Sequence, residues 1–191
     1  MALLLFEKQG YEQTTVAQIA AAAEVSPATF FNYFPSKEDV IFPDRLVQAE
    51  ALAGSLNERR PGETPAQCLQ RAVHEILEST SWTMDPKARH LVLARARIVA
   101  SVPTLRARSL LEITELQERW SADLVAAFPK QLDGFAADVL TGAVIGAILA
   151  VADRALRTGA SDRALIDLVR DAASTALNPG ATSTAPPAHQ S

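Results

Sequence analysis

The chain has 191 residues, of which 48% are hydrophobic and 21% charged, with a formal net charge of −4. This is the composition of a globular chain rather than a disordered one, enough for one ordinary domain or two small ones. The mild negative charge gives neither a nucleic acid nor a membrane a global attraction, and the single cysteine, Cys68, excludes an internal disulfide and suits a reducing cytosol.

Alanine and leucine are abundant and β-branched runs are scarce, which predicts an all-α chain. The opening "MALLLFEKQG" lacks a basic leader and a small-residue cleavage site, so it reads as helix rather than signal peptide. That helix covers Leu3 to Lys8 and is stopped by Gly10. Thr14 or Thr15 caps a second helix reaching about Ala23, and Thr15 with Gln18 has the capping-box spacing. Val16, Ile19, Ala20 and Ala23 share one face. Ser26 caps a third helix with Pro27 in its first turn, and Pro35 ends it. Ser36 caps a fourth, with Glu38 and Asp39 in its first turn, expected to run to about Asn57.

"RRPGETP" (59–65) breaks the chain after a first stretch of about 55 residues, and the two functional units are expected at residues 1–46 and 47–177. In the second unit, helices are expected from Thr64-Pro65 to Ser79, from Asp85-Pro86 to Ala100, from Pro103 to before Pro129, and from Asp133 to Thr158, closed by Gly159. Ser161 caps the last, with a stripe of Leu165, Leu168, Val169, Ala172 and Ala176. The longest apolar run, Val139 to Ala152, falls short of the ~18 residues of a membrane span, so no membrane association is expected. Residues 178–191, rich in Pro, Ser, Thr and Ala, read as a disordered tail.

Two short helices joined at "AEVS" make a helix-turn-helix, whose second helix enters the DNA major groove. The aromatic cluster Phe30, Phe31, Tyr33 and Phe34 then divides its work. Phe30 and Phe34, one turn apart, plug a small three-helix core. Tyr33 points outward with its hydroxyl open to a phosphate oxygen. Lys37, in the first turn of the following helix, is unfavourable at the positive end of the dipole unless a phosphate docks there; a solvated surface lysine is the plainer reading.

The stretch "GYEQTTVAQIAAAAEVSPATFFNYFPSKEDVIF" (10–42) resembles the DNA-binding domain of the TetR family of transcriptional regulators. The Gly-Tyr, Thr-Thr-Val, Ile-Ala and Val-Ser elements and the Phe-Pro-Ser-Lys-Glu-Asp end occur in the family's order. The Phe-Phe-x-Tyr-Phe form and "ARARIVASVPTLRAR" (94–108) are similar to an actinobacterial, mycofactocin-type subgroup. The resemblance implies a cytoplasmic, all-α homodimeric regulator, usually a repressor. It would bind a pseudo-palindromic double-stranded operator through two recognition helices about one DNA turn, ~34 Å, apart. It implies phosphate contact by Thr15 at the start of the second helix. Ser26, Pro27, Ala28 and Thr29 would line the tip of the recognition helix, Thr29 and Asn32 would meet base edges, and Tyr33 and Lys37 would hold phosphates. No cofactor is implied.

Three features depart from the family pattern. Glu24 stands where glycine is usual, at a cost of about 1 kcal/mol if the backbone there stays left-handed. Phe31 replaces a frequent tyrosine. The first helix begins about ten residues late, and residues 1–45 hold three basic against six acidic side chains, a net of −3. The head is therefore expected to extend upstream of Met1, and a longer form to bind DNA more tightly.

Residues 60–176 supply about five helices for a bundle that, in this family, binds a small effector and changes the spacing of the DNA-reading heads. Candidate effector contacts are Cys68, Ile76, Trp82, Leu91, Arg95, Ile98 and Trp120, each also compatible with ordinary packing. Arg95 or Arg97, turned inward, would clamp a carboxylate; a solvated face is the alternative. A mostly apolar pocket would suit an acyl or aromatic effector. The stretch 139–152 is apolar almost all round, and Gly142 and Gly146 permit close helix approach. With the last helix's stripe it is expected to form a four-helix dimer contact through Leu140, Val144, Ile148, Leu165, Leu168 and Ala172, which a charge at Val144 or Leu168 would break. An enzyme is not expected: His74 and His90 have no second ligand at helical spacing, and no Gly-rich phosphate loop or nucleophile elbow occurs. The acidic head leaves one competing reading, a helical ligand-binding protein with weak or absent DNA binding.

Overall fold

The computed structural model describes residues 1–42, 45–79 and 86–178. Among them every regular element is helical, as the composition predicts. Helix α1 (Ala2–Gln9) stops at Gly10, whose φ of +88° no side chain adopts easily. Helix α2 (Val16–Ala22) starts at Thr15, which closes a full capping box with Gln18. Its neighbour Thr14 is buried instead and donates to Gly10 O at 2.7 Å. Helix α3 (Pro27–Tyr33) is capped by the Ser26 hydroxyl, which accepts from Thr29 N at 3.0 Å.

Glu24 keeps the left-handed backbone, with φ +57°. Glu24 N–H donates to Ala21 O and Val25 N–H to Ala20 O, the two bonds of a Schellman ending. The turn is therefore not reshaped, and glutamate carries the conformational cost there.

The expected fourth helix is two pieces. A 3₁₀ turn covers Glu38–Val40, Phe42 is not helical, and α4 is described over Arg45–Asn57. The sequence has a proline at position 43, which has no N–H for a helical bond and disfavours helix in the residue before it.

The second unit follows the expected boundaries: α5 (Pro65–Ser79), α6 (Pro86–Ser101), α7 (Pro103–Ala127), α8 (Gly134–Thr158) and α9 (Asp162–Leu177). Pro103 occupies the first turn of α7, and Asp133 and Ser161 cap α8 and α9 through Ala136 N and Ala164 N. The Arg71 guanidinium fastens α5 to α4: it forks onto Glu63 at 3.0 and 2.9 Å and donates to Ser55 O at 2.6 Å. A buried hydroxyl pair, Ser121 and Thr141 at 2.9 Å, ties α7 to α8. A Cβ on Gly142 would lie 3.1 Å from Gln117 Nε2, so this glycine serves the approach of α7 and α8 within one chain.

Two cores result. The larger one gathers Leu52, Cys68, Leu69, Leu93, Trp120, Leu124, Phe128 and Val144. The smaller one joins Phe6, Tyr11, Ile19, Phe30 and Ile41 of the head to Ile98 and Leu105 at the α6–α7 corner. The head therefore rests on that corner.

The expected dimer residues divide. Val144 is fully buried and Leu165 nearly so, both in this chain's own core, so neither offers itself to a partner. Leu140 and Ile148 also pack partly against that core, and Ala172 is half-buried. Leu168 is exposed, as are Phe135, Val139, Ala143, Gly146 and Ala150, which follow one another along one side of α8. By length and composition alone α8 could cross a bilayer, since the whole helix is longer than its longest apolar run from Val139 to Ala152. Its buried Ala137, Thr141, Val144 and Ala155 pack it against α7 and α9. The expected tail from residue 179 onward, and Trp82, lie outside the described residues.

Candidate nucleic-acid interface

Helix α3 stands on its own aromatic plug. Phe30 is buried, its ring 5.5 Å from both Phe31 and Phe34. On the opposite side Ser26, Pro27, Ala28 and Asn32 are exposed, and Tyr33 is 76% exposed. Thr29 is half-buried and its hydroxyl lies 2.8 Å from that of Ser26, so these two form one polar tip. Thr15, exposed at the start of α2, has its hydroxyl engaged by Gln18 N. Six of the eight sequence-derived contact residues thus share one exposed helix.

Lys37 is placed differently from the sequence reading. It precedes a 3₁₀ turn, not an α-helix, and its ammonium turns inward. Nζ donates to Tyr11 O at 2.9 Å and Thr14 O at 3.2 Å and lies 4.0 Å from the centre of the Tyr11 ring. These carbonyls belong to the α1–α2 loop, where no helix supplies a donor. An ammonium has three N–H groups, and two of them are engaged by these carbonyls.

Tyr11 was not among the sequence candidates, yet it organises this corner. Its hydroxyl donates to Glu38 Oε1 at 2.6 Å. Burial, then that bond, push its phenol well above the ordinary range, and the same bond holds the Glu38 carboxyl below its own. Arg108 was missed as well. Its Nη2 donates to Asp39 Oδ1 at 2.5 Å and its Nε to Glu112 Oε1 at 3.1 Å. Its guanidinium carbon lies 5.1 Å from the centre of the Phe42 ring. The Arg108 hydrogen bond holds the Asp39 carboxyl low, and the Asp39 carboxylate raises the guanidinium. The Gly-Tyr pair and the end of "SVPTLRAR" were the only signals in the sequence, and neither names a partner.

A cavity of about 960 Å³ opens among α6, α7, α8 and α9. Its walls are largely apolar, with Val99, Ile113, Leu116, Leu156 and Val169 among them. Arginines (Arg95, Arg106, Arg119) and carboxylates (Glu112, Glu115, Asp153) are balanced in number around it. Among the described residues, Arg95 is the one sequence-derived effector candidate on this wall. Cys68 and Trp120 are sealed in the main core, Ile76 packs against it, Ile98 belongs to the head's core, and Leu91 is half-buried away from the lining. Ile148 and Leu165, expected at a dimer contact, line the cavity instead. Burial pushes the Cys68 thiol up, as fits a small apolar residue rather than a reactive one.

Residues 1–42 match the family model for bacterial regulatory proteins of the tetR family, and residues 63–180 match that of the MftR C-terminal domain. The chain belongs to the TetR family. It is 37% identical over 133 residues to the HTH-type transcriptional regulator TcmR of Streptomyces glaucescens, a match covering 69% of this chain and 59% of TcmR. It is 47% identical over 38 residues to the HTH-type transcriptional regulator HbdR of Aromatoleum sp. (strain CIB), covering 20% of this chain and 17% of HbdR. Among solved structures it shares the fold of Thermus thermophilus FadR, a TetR-family transcriptional repressor in complex with lauroyl-CoA. There the TM-score is 0.54 at 24% identity, over 99% of this chain and 96% of that one. The subgroup resemblance of residues 94–108 agrees with the second of the two family matches.

Proposed function

We propose that this TetR-family chain is a cytoplasmic, sequence-specific DNA-binding regulator, a repressor rather than an enzyme, released from its operator by a small, mostly apolar effector. Residues 1–46 are the DNA-binding unit and 47–177 the effector and dimer unit. The observation that carries this reading is α3, a capped helix exposed along Ser26, Ala28, Asn32 and Tyr33 and braced from behind by buried Phe30. Ala28, Thr29 and Asn32 read base edges; Thr15, Tyr33 and the remaining Lys37 N–H hold phosphates. The effector occupies the cavity among α6–α9, whose volume is of the size small ligands fill.

The dimer forms along the exposed side of α8 with Leu168 of α9. Phe135, at 79% exposure, and Val139, at 55%, are too apolar to face water together on a stable monomer. A second reading, a helical ligand-binding protein that does not bind DNA, is favoured by the net −3 of residues 1–45 and by Lys37 being tied inward. Selection of duplexes from a random pool separates the two. The regulator enriches a pseudo-palindrome whose affinity falls steeply between 50 and 200 mM salt; enrichment of no sequence leaves the ligand-binding reading standing.

A further inference from the structure

We propose that Arg108 is the positioning residue that couples occupancy of the α6–α9 cavity to the pose of the head carrying α3. The proposal rests on α3 being the DNA-contacting element and the cavity the effector site.

Arg108 touches both sides of that coupling at once. Two of its three neighbours, Glu112 and Phe42, line the cavity. The third, Asp39, belongs to the head, where it accepts from the Ser36 hydroxyl at 2.5 Å while Asp39 N–H donates back to that hydroxyl at 3.4 Å. Ser36 follows the last residue of α3 by three positions, and Pro35 in between has a fixed φ. A ligand that pushes on the Phe42 ring or draws on Glu112 therefore moves a guanidinium whose next contact is the segment leaving the recognition helix.

The head is built to respond as one piece. Glu38 is bonded to Tyr11, and Lys37 is bonded to the Tyr11 and Thr14 carbonyls, so residues 36–40 are tied to the α1–α2 loop. A shift at Asp39 turns the head rather than unwinding a single turn. A second polar bridge to the head among the described residues comes from α6 rather than α7: His90 Nε2 lies 3.1 Å from Glu7 Oε2, and neither residue belongs to the cavity wall. It is a hinge post; Arg108 is the link.

The test needs no natural effector. Ala96 lines the cavity, so Ala96→Trp places a permanent indole against its wall and occupies part of it. Binding is measured to a duplex enriched from a random pool by the unmodified protein, and backbone hydrogen exchange is followed at residues 26–36. Ala96→Trp alone is expected to weaken duplex binding about ten-fold, within the usual range of allosteric coupling, and to change exchange along α3. Added to Arg108→Gln or to Asp39→Asn, the same filler is expected to change binding less than about two-fold and to leave exchange along α3 unaltered. A filler without effect in the otherwise native chain, or one with its full effect in both variants, overturns the proposal. Should Arg108→Gln not fold, Asp39→Asn alone decides. If the pool yields no duplex, the DNA-binding reading fails, and the exchange comparison still decides the coupling.

Discussion

The division of labour among the aromatics of α3 is open to a direct test with the pair Phe30→Ala and Tyr33→Ala. Phe30 is 5% exposed and sits in a small core whose other large members are Phe6, Tyr11, Ile19, Ile41, Ile98 and Leu105. Its ring meets Phe31 nearly edge-on at 87° and Phe34 at 40°. Truncating a buried phenylalanine costs about 3–5 kcal/mol, the aromatic contacts included. That is a large share of the ~5–15 kcal/mol by which domains are stable, and for a chain of this length it lowers the melting temperature by roughly 10 °C. Tyr33, at 76% exposure, has almost no burial to lose, and its truncation stays within about 0.5 kcal/mol.

Duplex affinity then separates function from stability. Tyr33→Ala melts like the native chain but binds the selected duplex about ten-fold more weakly, the loss expected of a charged-acceptor hydrogen bond. Phe30→Ala loses binding because its head is loose, and its melt shows this independently. The assays are thermal melts followed by circular dichroism and duplex titration at fixed salt. A Tyr33→Ala protein that melts ten degrees early, or a Phe30→Ala protein that melts normally, would refute the placement of these rings.

Other substitutions probe the remaining corners. Glu24→Gly relieves a left-handed glutamate in the Schellman turn, so it should stabilise the chain by about 0.5–1 kcal/mol and raise its melting temperature by a few degrees. Val139→Asp, on the exposed side of α8, should leave helicity intact and yield monomers by light scattering. Val144→Asp should instead unfold the subunit, since it buries an unpaired charge in the main core. The head should also weaken in acid. Glu38 and Asp39 are both held below the ordinary carboxylate range, Glu38 by the Tyr11 hydroxyl and Asp39 by Arg108. Their contribution is complete above the unfolded-state values near ~4 and is lost as pH falls through the depressed folded-state values. Denaturant melts from pH 7 to pH 3 should show a smaller acid loss in Asp39→Asn than in the native chain.

The helix ends were legible because caps are local. Ser26 reaches Thr29 N, Asp133 reaches Ala136 N and Ser161 reaches Ala164 N, each three residues on, so a short window of sequence contains both partners. The exposed face of α3 was legible for a related reason. Seven residues between Ser26 and Phe34 leave little choice of phase once Phe30 must go inward. Long-range partners carry no such signature. Lys37 reaches carbonyls 26 and 23 positions away, and Arg108 reaches a carboxylate 69 positions away. No spacing rule connects them, because tertiary packing alone brings the α6–α7 corner beneath the head.

Helix α8 shows why its inward face could not be chosen from sequence. It is apolar on nearly every side, so Val139 and Val144 look equally suited to a core or a partner. The choice is made by α7 and α9, which cover Thr141, Val144 and Ala155 and leave Phe135 and Val139 bare. The cavity is a stronger case of the same limit. Periodicity reports which residues avoid water, whereas a cavity is set by where facing helices fail to meet. Cys68 and Trp120 are as apolar as Val99 and Leu116, but they face filled space and the latter two face a gap. Sequence pattern therefore locates the apolar faces from which an effector site is made, and the angles between packed helices decide which of those faces a ligand can reach.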